Sequence, residues 1–318
     1  MTTSTALGVG ANFELSVMFF SIRRLLRHLR SFHLISGLLA LTTALVLSGC
    51  SAAKLAYNNA PDLSYWWIDS YLDLGDAQSL KLRTDLTTLH GWHRQNELPL
   101  YIGTLENLRR LAPANVTPDQ ACELGVGLKA RLQSLLNQAE PALLSLAQNT
   151  KAEQLTHLTQ QFEKHNKKWR AEWMEGTPTE RTARRQKQWV DRAEMLYGRL
   201  EEPQMAVLRA ALATSGFDAD WRYRDMQRRQ QDTLATLRRV VDGQLSEAAL
   251  KVEVHALMTR ISESPDAGYR NYAERMTLES CRTLAALHNS TSPTQRRTLQ
   301  DRLQGYETDA RALVAAAR

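Results

Sequence analysis

The sequence predicts an all-α protein, an elongated bundle of many antiparallel helices that follows an N-terminal leader and tether. Apolar residues recur at steps of three and four through most of the chain after residue 61, which is the spacing of one helix face. Helix-start signals built on Thr-Pro or Ser-Pro recur along the same region. After residue 50 we find no sustained alternation of apolar and polar residues, so we predict no strand.

The first 49 residues read as a secretory signal peptide rather than as part of the fold. An apolar run extends from Leu34 to Leu47, and it is shorter than the roughly 20 residues that a membrane-spanning helix requires. The positively charged residues that precede this run are Arg23, Arg24, Arg27 and Arg30. A start at Met18 would give a signal of ordinary length, so we interpret residues 1–17 as an over-extended start.

The signal ends in Leu47-Ser48-Gly49-Cys50, which resembles the lipobox of bacterial lipoproteins. The small residues Ser48 and Gly49 allow a signal peptidase to approach the backbone, and the Cys50 thiol would take a diacylglycerol. Two or three acyl chains anchor a protein durably. We therefore predict Leu47, Ser48 and Gly49 as the recognition residues, Cys50 as the lipidation site and membrane lipid as the first partner.

Three segments follow from this assignment: a signal peptide over 1–49, a lipidated tether over 50–61 and a helical domain over 62–318. Residue 51 is Ser; an Asp at this place resembles an inner-membrane retention signal in enteric bacteria. The sequence thus predicts a lipid anchor on the periplasmic face of the outer membrane.

The net charge of the chain indicates which classes of partner to expect. The whole chain carries a net charge of +6, and removing the leader's four arginines and one glutamate lowers this to +3. A mildly basic surface favours an acidic surface partner or another envelope protein, and the compartment argues against nucleic acid.

Cys122 and Cys281 would meet an oxidising periplasm, so we expect either a disulfide or two independent buried thiols.

The helical elements appear in order as apolar stripes with marked starts. Thr117, Thr177 and Ser292 each precede a proline and lie three residues before a Gln or Glu, which is the pattern of a capping box with Pro at the first helical position. Pro99, Pro141 and Pro203 are predicted to kink or interrupt long helices. The stripes include Leu82/Leu86/Leu89/His93, Leu155/Leu158/Phe162/Trp169/Trp173, Trp189/Ala193/Leu196/Leu200, Leu250/Val254/Leu257/Ile261 and Leu299/Leu303/Tyr306/Ala310/Val314.

The segment from Tyr65 to Leu72 is the most aromatic in the chain. One interpretation is a short helix that packs its Trp and Tyr residues into the core. The other is an aromatic surface that rests on the membrane interface beside the anchor, where amphipathic rings are favoured.

Three motifs resemble an uncharacterised family of lipoproteins from Gram-negative bacteria. They are Leu55-Ala56-Tyr57-Asn58-Asn59-Ala60-Pro61, Trp66-Trp67-Ile68-Asp69-Ser70-Tyr71-Leu72-Asp73-Leu74 and Trp92-His93-Arg94-Gln95-Asn96-Glu97-Leu98-Pro99. The resemblance implies a lipid-anchored, mostly helical protein. It implies no activity, cofactor or catalytic residue.

Candidate sites of chemistry are few. His90, His93 and Glu97 share a helix face, but we predict no metal site because zinc needs three or four converging ligands and no paired motif supports one. We also predict no catalytic residue and no cofactor. The arginines that could bind anions lie beside Trp221 and Trp189: Arg224, Arg228 and Arg229 in one group, Arg184 and Arg185 in the other. The alternative is a solvated helix face, and Arg228 would need a carboxylate partner if buried.

The function that these observations favour is a non-enzymatic scaffold or binding protein of the cell envelope. The alternatives are a membrane-tethered periplasmic chaperone, which requires an exposed concave apolar surface, and an envelope hydrolase, which requires a pocket of converging titratable groups. A smooth polar bundle would favour the scaffold.

Overall fold

A computed structural model describes residues 49–316, and within them every regular element is a helix. The helices are α1 (Gly49–Asn58), α2 (Ala60–Leu72), α3 (Asp76–Trp92), α4 (Leu98–Leu111), α5 (Pro118–Gln148), α6 (Ala152–Trp173), α7 (Pro178–Tyr197), α8 (Glu202–Ala213), α9 (Ala219–Val241), α10 (Glu247–Ser262), α11 (Ala267–Asn289) and α12 (Pro293–Ala315). A π-helical turn, His93–Glu97, joins α3 to α4. The predicted all-α class is confirmed over this range.

Neighbouring helices pack antiparallel. Leu98 at the start of α4 packs with Leu313 near the end of α12, whereas Ala112 after α4 packs with Leu299 near the start of α12. In the same sense, the Tyr65 hydroxyl of α2 donates to the Ser79 Oγ of α3 at 3.0 Å. Short connections between successive helices favour this arrangement, because the chain must reverse to bury the next apolar face.

Packing begins before the predicted start of the helical domain at residue 62. The helical unit starts at Lys54, and residues 50–58 lie within α1, so the predicted tether is helical over most of its length. Tyr57 packs beside the cluster of Leu98, Ile102, Ala310 and Leu313, because its place on α1 puts an apolar ring against α4 and α12. Pro61 lies in the first turn of α2, where a proline costs no hydrogen bond.

The predicted capping boxes are present at Thr117, Thr177 and Ser292. Pro141 lies inside α5, which continues through it from Pro118 to Gln148 without an interruption. Pro99 lies just after the π-helical turn, where the regular α-helix that runs from α3 into α4 is interrupted. Pro203 lies in the first turn of α8, so it begins a helix, and its missing backbone N–H is one that a first turn leaves unpaired in any case.

Two pairs of capping glutamines join helix starts that are distant in the chain. Gln78 and Gln154, three residues after the N-caps of α3 and α6, exchange side-chain hydrogen bonds at 3.1 and 3.0 Å. At the equivalent positions of α8 and α12, the Gln295 amide donates to Gln204 at 3.2 Å. Capping residues therefore also serve as tertiary contacts.

Two large apolar clusters hold the unit together. One, formed by α7, α8, α11 and α12 with Ala112, includes Leu208 and Leu287, both almost fully buried. The other joins Ala147 of α5 to Leu250, Val254 and Met258 of α10. None of the helices between residues 49 and 316 has the length and apolarity needed to cross a bilayer.

Candidate functional site

An apolar cavity of about 520 Å³ lies among helices α2, α5, α6, α9 and α10. Its side chains come from successive turns of each helix, at the three- and four-residue spacing that places side chains on one face. The apolar members are Trp67, Ile68, Leu72, Leu143, Leu146, Ala147, Leu158, Phe162, Leu237, Val254, Leu257, Met258 and Ile261.

The polar groups of this lining are largely satisfied within the protein. Gln230 exchanges hydrogen bonds with Asn166 at 2.8 and 3.0 Å. The Thr233 hydroxyl donates to the Arg229 carbonyl at 2.9 Å, and the Thr236 hydroxyl donates to Glu253 at 3.4 Å. A ligand in the cavity therefore needs to supply apolar surface more than hydrogen bonds.

The residues of the aromatic segment differ in burial, so neither interpretation describes all of them. Tyr65 is buried, so its ring packs into the protein as the first interpretation required. Trp66 and Trp67 are 59% and 65% exposed, so the expectation that they enter the core is wrong. Consecutive positions on α2 point about 100° apart, and only part of the segment can face inward. Trp67 also borders the apolar cavity and lies 5.1 Å from the Tyr71 ring.

Two of the three predicted arginines of α9, Arg228 and Arg229, form salt bridges with nearby carboxylates. Arg228 Nε and Arg229 Nε each lie 3.0 Å from buried Asp225. Arg228 also approaches Asp232 at 3.8 Å, and Asp232 in turn binds Arg260 at 2.8 Å. Bonds to Asp232 and Glu253 raise the pKa of Arg260. The required partner of Arg228 thus exists, and this cluster is neutralised from within.

Arg224 and Arg184 contact other groups, each within its own part of the fold. The Arg224 guanidinium lies over the Trp221 ring, 4.7 Å from its centroid. Arg184 donates to the Glu175 carbonyl in the turn between α6 and α7. The five predicted arginines do not form one site, because they contact different residues in different parts of the fold.

Arg185 has a different environment. It donates to the Ser215 hydroxyl at 2.5 Å and lies 4.5 Å from the centroid of the Phe217 ring. Burial lowers the pKa of its guanidinium, and the Glu279 carboxylate partly opposes this shift. The cation is therefore desolvated without a direct carboxylate partner in the described part of the chain.

The π-helical turn concentrates titratable groups that the sequence did not predict to interact. The Tyr57 hydroxyl lies 2.9 Å from His93 Nδ1. Glu97 is buried, accepts a hydrogen bond from Ser134 at 2.6 Å and lies 3.6 Å from Arg131. Burial lowers the pKa of both His90 and His93. Because these partners lie on other helices, more than thirty residues away in the chain, simple spacing could not reveal the contacts.

In the described range, no three His, Cys, Asp or Glu side chains are arranged to hold a metal ion. His90, His93 and Glu97 take part in the contacts of the π-helical turn instead. His93 partners Tyr57, and Glu97 partners Ser134 and Arg131.

Cys122 and Cys281 are joined by a disulfide between α5 and the end region of α11, with Cα atoms 5.3 Å apart. Leu47 and Ser48 of the predicted lipobox lie outside the described residues, and the structure describes only the backbone of Gly49 and Cys50. Cleavage and lipidation therefore remain predictions from sequence.

Comparison with known proteins yields a family and no activity. The model of a family of unknown function, DUF6279, matches residues 70–263. No curated protein matches the chain, and no solved structure matches it. Residues 70–263 include most of the apolar cavity together with all five predicted arginines.

Proposed function

The chain belongs to this family of unknown function, DUF6279, and we propose that it is a lipid-anchored, non-enzymatic binding protein of the bacterial cell envelope. It is held at the periplasmic face of the outer membrane through acylated Cys50. Its binding site is the apolar cavity, and its ligand is an acyl chain of an envelope lipid or lipidated protein.

The observation that carries this proposal is the cavity itself. Ligand-binding cavities typically measure about 300–1,000 Å³ and have mostly apolar linings, and the volume of about 520 Å³ falls within that range. Each Å² of apolar surface that leaves water contributes about 25 cal/mol, so an acyl chain gains affinity along its whole length. Gln230, Thr233 and Thr236 already form hydrogen bonds within the protein, so these side chains need no polar group on the ligand.

Exposed tryptophans support the membrane location. Trp66 and Trp67 extend from α2, the helix that follows the one containing the lipobox cysteine. Indole rings favour the interface between headgroups and acyl chains. Since Trp67 also borders the cavity, a ligand could pass from the membrane surface into the cavity without crossing open solvent.

A fluorescent fatty acid tests the proposal. Purified residues 51–318 contain the whole helical unit from Lys54 and avoid detergent. We expect cis-parinaric acid to bind them saturably and Ile261→Trp, which places a large ring at the cavity lining, to weaken binding by about tenfold. Val252→Trp on the same helix is the matched control, because Val252 is 71% exposed and lines no part of the cavity.

Equal affinities for the two tryptophan variants would contradict the assignment of the cavity. Absence of saturable binding in the wild type would contradict the proposed ligand class. Circular dichroism spectra of both variants should match the wild type, which ensures that the comparison reports binding.

A membrane-tethered chaperone is the second candidate, because the same apolar cavity could accept side chains of an unfolded client. In that case the protein would suppress aggregation of a denatured substrate, and cis-parinaric acid would abolish the suppression. If the protein is instead the acyl-chain-binding protein proposed above, it should bind the fatty acid and have no effect on client aggregation.

A further inference from the structure

A second cavity, of about 180 Å³, is lined by three arginines from two helices. Arg185 and Arg192 come from α7 and Arg222 comes from α9, and Glu279 of α11 is the acidic residue of the lining. This cavity shares no lining residue with the apolar cavity. With three arginines and one glutamate its lining has a net positive charge, whereas no Lys, Arg, Asp or Glu lines the apolar cavity.

Arg185 is the half-buried member of the three. A guanidinium has five N–H donors, and the Ser215 hydroxyl accepts one hydrogen bond from Arg185. The Phe217 ring covers one face of the cation at 4.5 Å. Glu279 uses one carboxylate oxygen to accept the Gly216 N–H at 2.9 Å, and it forms no salt bridge with Arg185 within the described range. Burial of a cation is costly unless a counter-charge approaches it.

Two other partly buried arginines of the fold are paired with carboxylates. Arg228, whose side chain is 24% exposed, has Asp225 at 3.0 Å and Asp232 at 3.8 Å. Arg131, whose side chain is 32% exposed, faces the Glu97 carboxylate at 3.6 Å. The cavity around Arg185 lacks this direct pairing, although two more arginines border it. Three cations and one carboxylate therefore border the same cavity.

We propose that this cavity binds a phosphate-class oxyanion, with Arg185 as its principal donor and the exposed Arg192 and Arg222 as additional cations. Planar guanidinium groups bind tetrahedral oxyanions through paired N–H donors, which suits phosphate better than a monovalent halide. Liquid water occupies about 30 Å³ per molecule, so the cavity has room for such an anion and part of its hydration shell. The ligand is free phosphate or the phosphate of a lipid headgroup.

This inference does not depend on the proposed function, since the two cavities differ in position and chemistry. Failure of fatty-acid binding would leave the oxyanion site intact, and the reverse also holds.

Calorimetric titration of the lipidated full chain in an uncharged detergent tests the site. The titrants are inorganic phosphate, dihexanoylphosphatidylglycerol and dihexanoylphosphatidylcholine, at constant chloride. We expect saturable binding of phosphate or of phosphatidylglycerol, weakened about tenfold in Arg185→Gln and several-fold in Arg222→Gln. Arg238→Gln, an exposed arginine of α9 that lines neither cavity, should bind as the wild type does.

The titrants distinguish free phosphate from the phosphate of a lipid headgroup. Binding of inorganic phosphate with the expected loss in Arg185→Gln identifies a free-phosphate site, and binding of phosphatidylglycerol alone with the same loss identifies a headgroup site. No saturable binding of any titrant would overturn the proposal. Equal affinities of Arg185→Gln and Arg238→Gln would also overturn it. If Arg185→Gln fails to fold, the exposed Arg222→Gln variant carries the same comparison.

Discussion

At the scale of single residues, burial without a charged partner keeps one histidine neutral. His288 Nε2 lies 2.8 Å from the Ala114 carbonyl and Nδ1 lies 2.9 Å from the Tyr197 hydroxyl, so Nε2–H donates and Nδ1 accepts. Burial lowers the pKa of His288, the hydrogen bond to the Ala114 carbonyl partly opposes this shift, and the charge of Arg296 adds to it. Burial also raises the pKa of Tyr197 to about 12, so its hydroxyl remains a donor.

A pH dependence of stability follows. Below the ordinary histidine pKa of 6.5, the unfolded chain takes up a proton that folded His288 does not. The free energy of unfolding should therefore fall as pH drops from about 7 to about 5, by at most about 1.4 kcal/mol per pH unit for this residue. Urea denaturation at several pH values measures the slope. His288→Gln should reduce the slope, while His90 and His93, whose pKa values burial also lowers, maintain part of it. An unchanged slope would contradict the assignment.

Acylation of Cys50 is the other prediction at this scale. Cys50→Ser removes the thiol that would carry the diacylglycerol, so the variant should take up no label from an alkyne fatty acid in growing cells. Ser51→Ala, with the thiol intact, should be labelled as strongly as the wild type. A labelled Cys50→Ser variant would exclude the lipobox interpretation.

At the scale of elements, paired helix starts depend on buried glutamines. Gln204 is 1% exposed and bridges the start of α8 to Gln295 of α12 and to the Ser290 carbonyl. Gln204→Ala should lower the free energy of unfolding by about 1–3 kcal/mol, because it leaves buried polar partners unpaired. Glu180→Ala, at the exposed equivalent position of α7, should cause a smaller loss. Similar denaturation midpoints for the two variants would contradict this role.

The disulfide acts at the same scale, because it joins α5 to α11 across a separation of 159 residues. A cross-link over so long a loop restricts the unfolded chain, and its removal by Cys122→Ser should cost about 2–5 kcal/mol. Urea denaturation with and without reductant measures this cost. Identical mobility of the reduced and unreduced protein on a denaturing gel would show that the bond does not form in cells.

At the scale of the whole molecule, the proposed function requires the right membrane. Ser51 follows the lipidation site, and an aspartate there resembles an inner-membrane retention signal. Ser51→Asp should therefore move the protein from outer- to inner-membrane fractions of a density gradient, while Ser51→Ala should stay with the wild type. Wild-type protein in the inner-membrane fraction would contradict the proposed location. Crosslinking of the lipidated protein in cells would then identify its envelope partners.

The sequence by itself determined what local interactions control. Helical class, the capping boxes at Thr117, Thr177 and Ser292, and the apolar stripes all follow from residues within a turn or two of one another. The pairing of Arg228 with Asp225 and Asp232 was also readable, because these residues are three and four positions apart on one helix. The sequence already required a carboxylate partner for a buried Arg228, and Asp225 and Asp232 are the partners at that spacing.

Only the tertiary structure decided where the cavities lie. The apolar cavity needs α2, α5, α6, α9 and α10 to meet, and the arginine cavity needs residues of α7 beside Arg222 and Glu279. An apolar stripe specifies which side of a helix is buried, but the same stripe fits a filled core or a cavity wall. Whether space remains depends on the volumes of side chains far apart in the chain, and no local pattern encodes that sum.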